Sequence, residues 1–472
     1  QRTPCACWAS RGNAMAAAAQ ATQRLPRVLG PLQGFGIVVG GVVGASIFIV
    51  PSLVAQKVPF LAGIFLVWIL GALVSIAGVL TLAELAAMLP RAGGGYAYIH
   101  EALGPLAAFL FSWTDALLIR AGAAAAISFS FGIFFSKVVP GPAWMPAPVY
   151  QGALAATVIV LLACLNAVGT RLGANVQLAG TVLKMVALGS VVILPVLLWR
   201  GAPGLSSVRF WPAEFNGAVF SGMLAACVPI LWTYAGWEQL GHLSEEMHQP
   251  GRNLPRVLTL GMLTVAALYL AVIFGIHLVL TQQQVTSSEA VGADFFRALL
   301  GPVGSLLVSI VVMISAVIVA NGAVLAGPRS CFALARDGMC PAWFGRVHPR
   351  FETPANAIFA LALWSVLLIA AAATFLLKQK SLFEALITYV MFGEMLFLAL
   401  VMISAFVLRR KRPEWPRPYR TWGYPFTPAA SLLATVVLMA GMARTSPVEV
   451  LTGAFIMAAG LPVWWVYTKR LR

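Results

Sequence analysis

"GFGIVVGGVVGASIF" (Gly34–Phe48) lies in the first long apolar run of the chain and holds five glycines, Gly34, Gly36, Gly40, Gly41 and Gly44. Inside a helix each costs about 1 kcal/mol relative to alanine. Two readings explain their presence. Gly36, Gly40 and Gly44 are four apart, a doubled G-x-x-x-G that lets another helix approach closely. Alternatively, the helix breaks near Gly44–Ser46. A break exposes unpaired N–H groups at the start of the second half-helix, with its positive dipole end inward. Such groups bind a carboxylate near the bilayer centre without a bare cation there.

The surroundings of this stretch are lipidic. Of 472 residues, 60% are hydrophobic and 10% charged, whereas a soluble domain carries about a quarter charged residues. Apolar runs of about 20 residues, each able to cross the ~30 Å hydrocarbon core, recur along the whole length. Lipid leaves unpaired backbone groups unsatisfied, so these runs read as helices. The expectation is an all-α polytopic membrane protein with twelve spans, near 33–55, 61–89, 104–137, 149–169, 177–199, 217–243, 255–280, 302–328, 355–376, 383–408, 425–443 and 447–467. With both termini cytoplasmic, 21 of the 31 lysines and arginines fall in cytoplasmic segments. The net charge of +16 then reflects topology and anionic lipid headgroups, not nucleic-acid binding. "RRKRPEWPRPYR" (Arg409–Arg420) reads as a stop-transfer loop. Cys5, Cys7, Cys164, Cys227, Cys331 and Cys340 have no metal-ligand spacing, and none falls in an external loop. Residues 1–30 are set aside as a cytoplasmic tail expected to be disordered, with Met15 a candidate start and residues 468–472 a cytoplasmic C-terminus. "SSEAVGADFFRALL" (Ser287–Leu300) reads as an amphipathic helix on the outer surface.

A second interruption falls in the sixth run, "FSGMLAACVPILWTYAGWEQLGH" (Phe220–His242), at Pro229 and again at "TYAGWE". Carbonyls freed around Thr233–Gly236 would accept from an ammonium, so the two breaks together suit a zwitterion. Breaks in corresponding spans of two halves point to inverted repeats around a central site. The repeats would occupy about 31–200 and 215–410, within a core of 31–425, and two further spans would follow at 425–467.

Several motifs carry a resemblance. "GGVVGASIF" (Gly40–Phe48) is similar to the first-span motif of the amino acid–polyamine–organocation transporter superfamily, usually G-[S/T]-G-I-F. "AELAAMLPRAGGGYAYIHEALGPLAAFLFSW" (Ala83–Trp113), "YAGWEQLGHLSEEMHQPGRNLPRVL" (Tyr234–Leu258) and "ALARDGMCPAWFGRVHPRFETPANAI" (Ala333–Ile358) resemble its later motifs in family order. "WTDALLIRAG" (Trp113–Gly122) and "VQLAGTVLKMVAL" (Val176–Leu188) resemble the L-type amino acid transporters and their bacterial relatives. The resemblance implies a five-plus-five inverted-repeat fold with spans one and six unwound at mid-membrane. It implies a substrate carboxylate at Val43, Gly44, Ala45, Ser46 and Ile47, and an ammonium at Trp232, Thr233, Tyr234, Ala235 and Gly236, with Trp232 as an aromatic gate. "GAS" stands where G-S-G is usual, which shifts the hydroxyl and narrows the pocket.

Ionisable groups inside spans are expensive and point to function. The resemblance places the Lys184 ammonium where sodium-dependent relatives hold the ion, linking span five to the broken helix; the other reading is a lysine snorkelling to the interface. Glu238 resembles a glutamate of proton-sensing antiporters; its alternatives are an ion pair with Lys184 or a helix cap. Lys184 and Glu238 are thus the coupling candidates. Arg120 reads as structural, paired with Asp115, Glu394 or another acid. Glu84 and Glu245 (with Glu246) are inner-gate candidates, and Asn321 reads as a helix–helix hydrogen bond.

Five scattered histidines and no catalytic motif argue against an enzyme, and no filter loop argues for a channel. The expected function is sodium-independent amino acid transport by alternating access across a cell membrane, with neutral amino acid exchange or proton-linked uptake ahead of cationic amino acid or polyamine carriage. Partners are the amino acid, possible protons and the bilayer; no cofactor or metal is expected. "VVPGPAWMPAPVY" (Val138–Tyr150) has no cysteine, so no disulfide-linked heavy chain is expected.

Overall fold

The computed structural model describes residues 24–198, 203–376, 382–445 and 447–471. The readings for residues 1–23, including Cys5, Cys7 and Met15, lie outside these residues. In chain order the principal helices are α1 (Pro31–Val42), α2 (Val50–Lys57), α3 (Leu61–Met88), α4 (Gly95–Leu103), α5 (Pro105–Val138), α6 (Ala147–Val168), α7 (Thr170–Leu197), α8 (Gly217–Thr233), α9 (Pro250–Val279), α10 (Val291–Leu300), α11 (Pro302–Ala326), α12 (Pro328–Arg336), α13 (Ala355–Leu376), α14 (Leu382–Lys411), α15 (Phe426–Thr445), α16 (Pro447–Ala458) and α17 (Gly460–Leu471). Among the described residues, ten helices are long and apolar enough to cross a membrane, and α1 and α8 are two shorter apolar helices. Those two are the runs expected to be interrupted.

Local chemistry sets the boundaries. Proline occupies the first turn of α1, α5, α9, α11 and α12, where its missing N–H is no loss. The Asn216 side chain accepts from Val219 N at 3.0 Å and caps α8.

Packing divides the bundle. Alanines of α5 and α6, with Ile358, Leu361 and Ile369 of α13 and Val324 of α11, form an apolar core of their own. α1 packs against α7 and α9, and α3 against α8 and α9, around a second, larger core. The broken spans belong to the larger core, to which α5 (Phe109, Phe111, Ile119) and α11 (Val308, Val312, Leu325) also contribute.

Two expectations change. Residues 24–30 are docked: Leu25 and Leu29 are buried, and Val28 N and Leu29 N both donate to Glu246 O at 2.9 Å. The amphipathic helix α10 does not rest on an outer surface. Val291, Phe295, Phe296 and Leu299 are buried, and Gly292 lies so close to Phe48 that an added Cβ would come within 2.2 Å of its ring. Its apolar face is used against the broken first span, which removes the drive to lie in an interface.

Candidate functional site

After α1 the backbone turns extended at Val43 (φ −72°, ψ 95°) and Gly44 (φ −112°, ψ −169°), then resumes as a 3-10 turn, Ala45–Phe48, before α2. The sixth run leaves helix after Thr233 and resumes only as the short helix Gln239–His242. Between them Gly236 has φ +112°, and a Cβ there would sit 2.5 Å from the Gly41 carbonyl oxygen. Glycine is needed at Gly236 for both reasons, because the two broken segments touch backbone to backbone.

The glycines of the opening stretch divide by role. Gly36 abuts Leu178, Gly40 abuts Thr181 and Gln177, and Gly41 abuts the Gly236 carbonyl. Gly44 differs: an added Cβ would meet only Ser46 Oγ at 3.9 Å and Val42 O at 4.0 Å among the described residues. Packing and break are thus both present in one segment. Gly44, Ala45 and Ser46 are half-buried between the buried Val43 and Ile47.

Carbonyls released at the end of α1 are met by two side chains. Lys184 Nζ, 2% exposed, donates to Val43 O at 2.8 Å and Gly40 O at 3.1 Å. A cation is favoured at a helix C-terminus. The snorkelling reading is therefore overturned, since the ammonium points into the bundle. Tyr269 OH lies 3.0 Å from Val42 O and 3.3 Å from Thr233 O, tying the ends of α1 and α8 together. Its ring packs with Trp68 and Tyr234. Tyr234 is buried in that aromatic cluster and Thr233 is buried, whereas Trp232 is 43% exposed. Ala235 is half-buried.

Glu238 does not meet Lys184, so the ion pair between them is also corrected. Lys184 is committed to the α1 carbonyls, and Arg120 Nη1 lies 3.3 Å from Glu238 Oε1. Glu238 Oε2 also accepts from Gly236 N at 3.0 Å, holding the second break in shape. Arg120 Nε donates to Asp115 Oδ1 at 3.0 Å. A π-turn over Asp115–Arg120 makes this five-residue pairing possible, since only i→i+5 geometry stacks those positions. His242 and Ser330 complete the cluster: Ser330 Oγ bonds to Asp115 Oδ2 and lies 3.1 Å from His242 Nδ1.

At the end of the bundle that carries the basic loops, Arg329 binds Glu246 (2.9 Å, both side chains fully buried) and Thr170, while Arg336 binds Glu245 at 2.9 Å. Glu245 further accepts from Leu25 N and Ala92 N, both at 2.9 Å. Glu84 stands apart from this pairing, held by Arg409 at 2.6 Å and by Thr421 N at 2.6 Å. Asn321 joins three helices, donating to Gly173 O and Gln177 Oε1 and accepting from Asn166. Among the described residues no cluster of His, Cys, Asp and Glu has the arrangement of a metal site.

The profile of the amino acid permease family matches residues 29–467. The chain belongs to the amino acid permease family. Among curated relatives, this permease-family chain is 30% identical over 405 residues to the human b(0,+)-type amino acid transporter 1, covering 84% of this chain and 79% of that one. The serine/threonine exchanger SteT of Bacillus subtilis is 28% identical over 451 residues, covering 94% and 98%. The human large neutral amino acids transporter small subunit 2 is 28% identical over 443 residues, covering 94% and 80%.

Sequence reasoning brought forward Lys184, Glu238 and the two breaks, which the fold gathers. It passed over Tyr269, an unremarked tyrosine in an apolar run, and His242, which a charge-based search for intramembrane groups does not weigh because the imidazole is neutral in that search. Arg329 it did not single out either.

Proposed function

We propose that the chain is a sodium-independent secondary transporter of amino acids, neutral ones first, working by alternating access in a cell membrane with both termini cytoplasmic. The observation that carries this reading is the meeting of two interrupted spans at Gly41 and Gly236, beside the open, half-buried Gly44–Ala45–Ser46 segment. Family membership supports it, as do the printed activities of the relatives.

In this reading the substrate carboxylate sits against the amides of Gly44, Ala45, Ser46 and Ile47, with Val43 at the rim. The ammonium faces the backbone of Trp232, Thr233, Tyr234, Ala235 and Gly236. Lys184 Nζ serves the carbonyls at the end of α1, which therefore need no metal cation. Arg120 answers Glu238, which occupies the carboxylate nearest the second break and favours neutral substrates over cationic amino acids or polyamines. Arg329–Glu246, Arg336–Glu245 and the Glu84 cluster close the basic end, and the α1, α3, α8 and α9 unit moves against the α5, α6, α11 and α13 unit when they part. The chain is read as working without a disulfide-linked heavy chain.

Uptake of labelled amino acids by purified protein in vesicles tests the reading. Serine, threonine and larger neutral amino acids should enter vesicles preloaded with the same amino acids, with or without sodium. Strict dependence on sodium, or entry of polyamines alone, would defeat it.

A further inference from the structure

An open cavity of about 520 Å³ lies where the first turn of α9 meets the loop between α14 and α15. Arg252 and Arg256 line it from the helix, Pro418 and Tyr419 from the loop. Its size is that of a small-molecule site, about 300–1,000 Å³, and no carboxylate lines it. Among the described residues neither arginine has an ion pair or a side-chain hydrogen bond, whereas the neighbouring Arg409 and Arg417 are both paired with Glu84. Helix and loop touch beside the arginines, since a Cβ on Gly251 would lie 3.1 Å from Pro418. We infer that this cavity takes the phosphate group of an anionic phospholipid.

The two guanidinium groups select a phosphate. Each is a planar fork that can pair two phosphate oxygens at once. Arg252 and Arg256 are four residues apart on α9, so they stand one turn apart on the same face and can serve one headgroup. α9 also begins here, and its positive dipole end adds to the attraction.

The rest of that helix face selects a lipid over a free phosphate. Beyond Arg256 the exposed positions of α9 are Leu260, Leu263 and Ala267, which continue the line of the two arginines at helical spacing. Leu260 is 59% exposed and Leu263 47%, while Leu258, Met262 and Val265 between them are buried. At a rise of 1.5 Å per residue, Leu260 and Leu263 lie about 6 and 10 Å past Arg256 along the axis. Half of a ~30 Å hydrocarbon core spans that depth, and α9 is one of the helices long and apolar enough to cross a membrane. One stripe therefore runs from two unpaired cations to an uncovered apolar surface, the order in which a phospholipid presents its headgroup and its chains. A soluble anion would use only the first part of it. A lipid held here bridges α9 to the α14–α15 loop, and it does so whatever substrate the chain carries.

The test follows the thermal midpoint of the full chain in an uncharged detergent as phosphatidylglycerol is added. Parallel titrations use phosphatidylcholine, the soluble headgroup glycerophosphoglycerol, and inorganic phosphate. A ligand that binds only the folded form raises the midpoint. Phosphatidylglycerol should act at concentrations about tenfold or more below the other additives. Arg252→Gln/Arg256→Gln should need about tenfold or more phosphatidylglycerol than the wild type. Arg171→Gln/Arg346→Gln, which removes as many exposed charges elsewhere at the basic end, should respond as the wild type does. An equal response to phosphatidylcholine overturns headgroup recognition. An equal response to inorganic phosphate or to the soluble headgroup makes this a free-anion site and overturns the lipid. Equal losses in the two double variants reduce the effect to general charge attraction and overturn the site. If Arg252→Gln/Arg256→Gln fails to assemble, a photoactivatable phosphatidylglycerol crosslinked to the wild type decides. Adducts on residues 252–263 are expected, and adducts only elsewhere overturn the assignment.

Discussion

Lys184 shows how one side chain can hold a break in place. Its ammonium replaces the N–H groups that would have served Gly40 O and Val43 O had the helix continued. Lys184→Met leaves two buried carbonyls without that donor, at about 1–3 kcal/mol each. Its predicted signature is a lower thermal midpoint in detergent together with uptake reduced to about a tenth or less of wild type. Gly236 and Gly44 separate strain from occupancy. Gly236→Ala forces a Cβ to 2.5 Å from Gly41 O at a φ of +112°, so its thermal midpoint should fall. Gly44→Ala meets no backbone and should keep the midpoint while raising KM, because the methyl group enters the space assigned to the substrate. A Gly44→Ala variant with wild-type KM would remove Gly44 from the site. At this scale the sequence was informative about kinds of residue and not about pairs. An intramembrane lysine stands out in any apolar run, but its two acceptors are 144 and 141 positions away, and no local pattern links them. The choice of Arg120 over Lys184 as partner of Glu238 was hidden for the same reason.

Among elements, the breaks were legible and their consequences were not. Glycine clustering in one run, and Gly236 within "TYAGWE" after Pro229 in another, mark both interruptions, because helix interiors disfavour glycine and proline. The π-turn at Asp115–Arg120 left no such mark: "DALLIR" is an ordinary helical string, and nothing local in it announces the wider turn that lets Arg120 pair with Asp115. The use of α10 against Phe48 was equally unreadable, since an amphipathic pattern states that a face is covered and not what covers it. α12 bears the prediction at this scale. Its Arg329 is wholly buried against Glu246, which follows the second break. Removing one partner of a buried pair costs about 3–5 kcal/mol, and here that loss falls on the form closed at the basic end. Arg329→Ala should therefore speed maleimide labelling of the half-buried Cys331 and Cys340 from that side. Equal labelling rates in wild type and variant would show that the pair does not hold the bundle shut.

For the whole molecule, a smaller α5–α6–α11–α13 core stands beside the larger core around α1, α3 and α9, and α5 and α11 contribute side chains to both, so the two groups of helices meet through apolar as well as polar contacts. Lys184, Tyr269 and Asn321 link elements within the bundle, while the Glu238–Arg120 and Glu246–Arg329 contacts join the second break to α5 and α12. Composition alone made the membrane class plain, because 10% charge over 472 residues leaves no soluble alternative. It could not show which spans pack together. The most direct measurement is counterflow in proteoliposomes: labelled neutral amino acid outside, unlabelled amino acid inside, sodium absent, wild type beside Gly44→Leu. Rapid uptake by the wild type and none by Gly44→Leu, with Gly44→Leu still monodisperse, is the predicted result. Equal uptake by both would contradict the placement of the substrate at the first break.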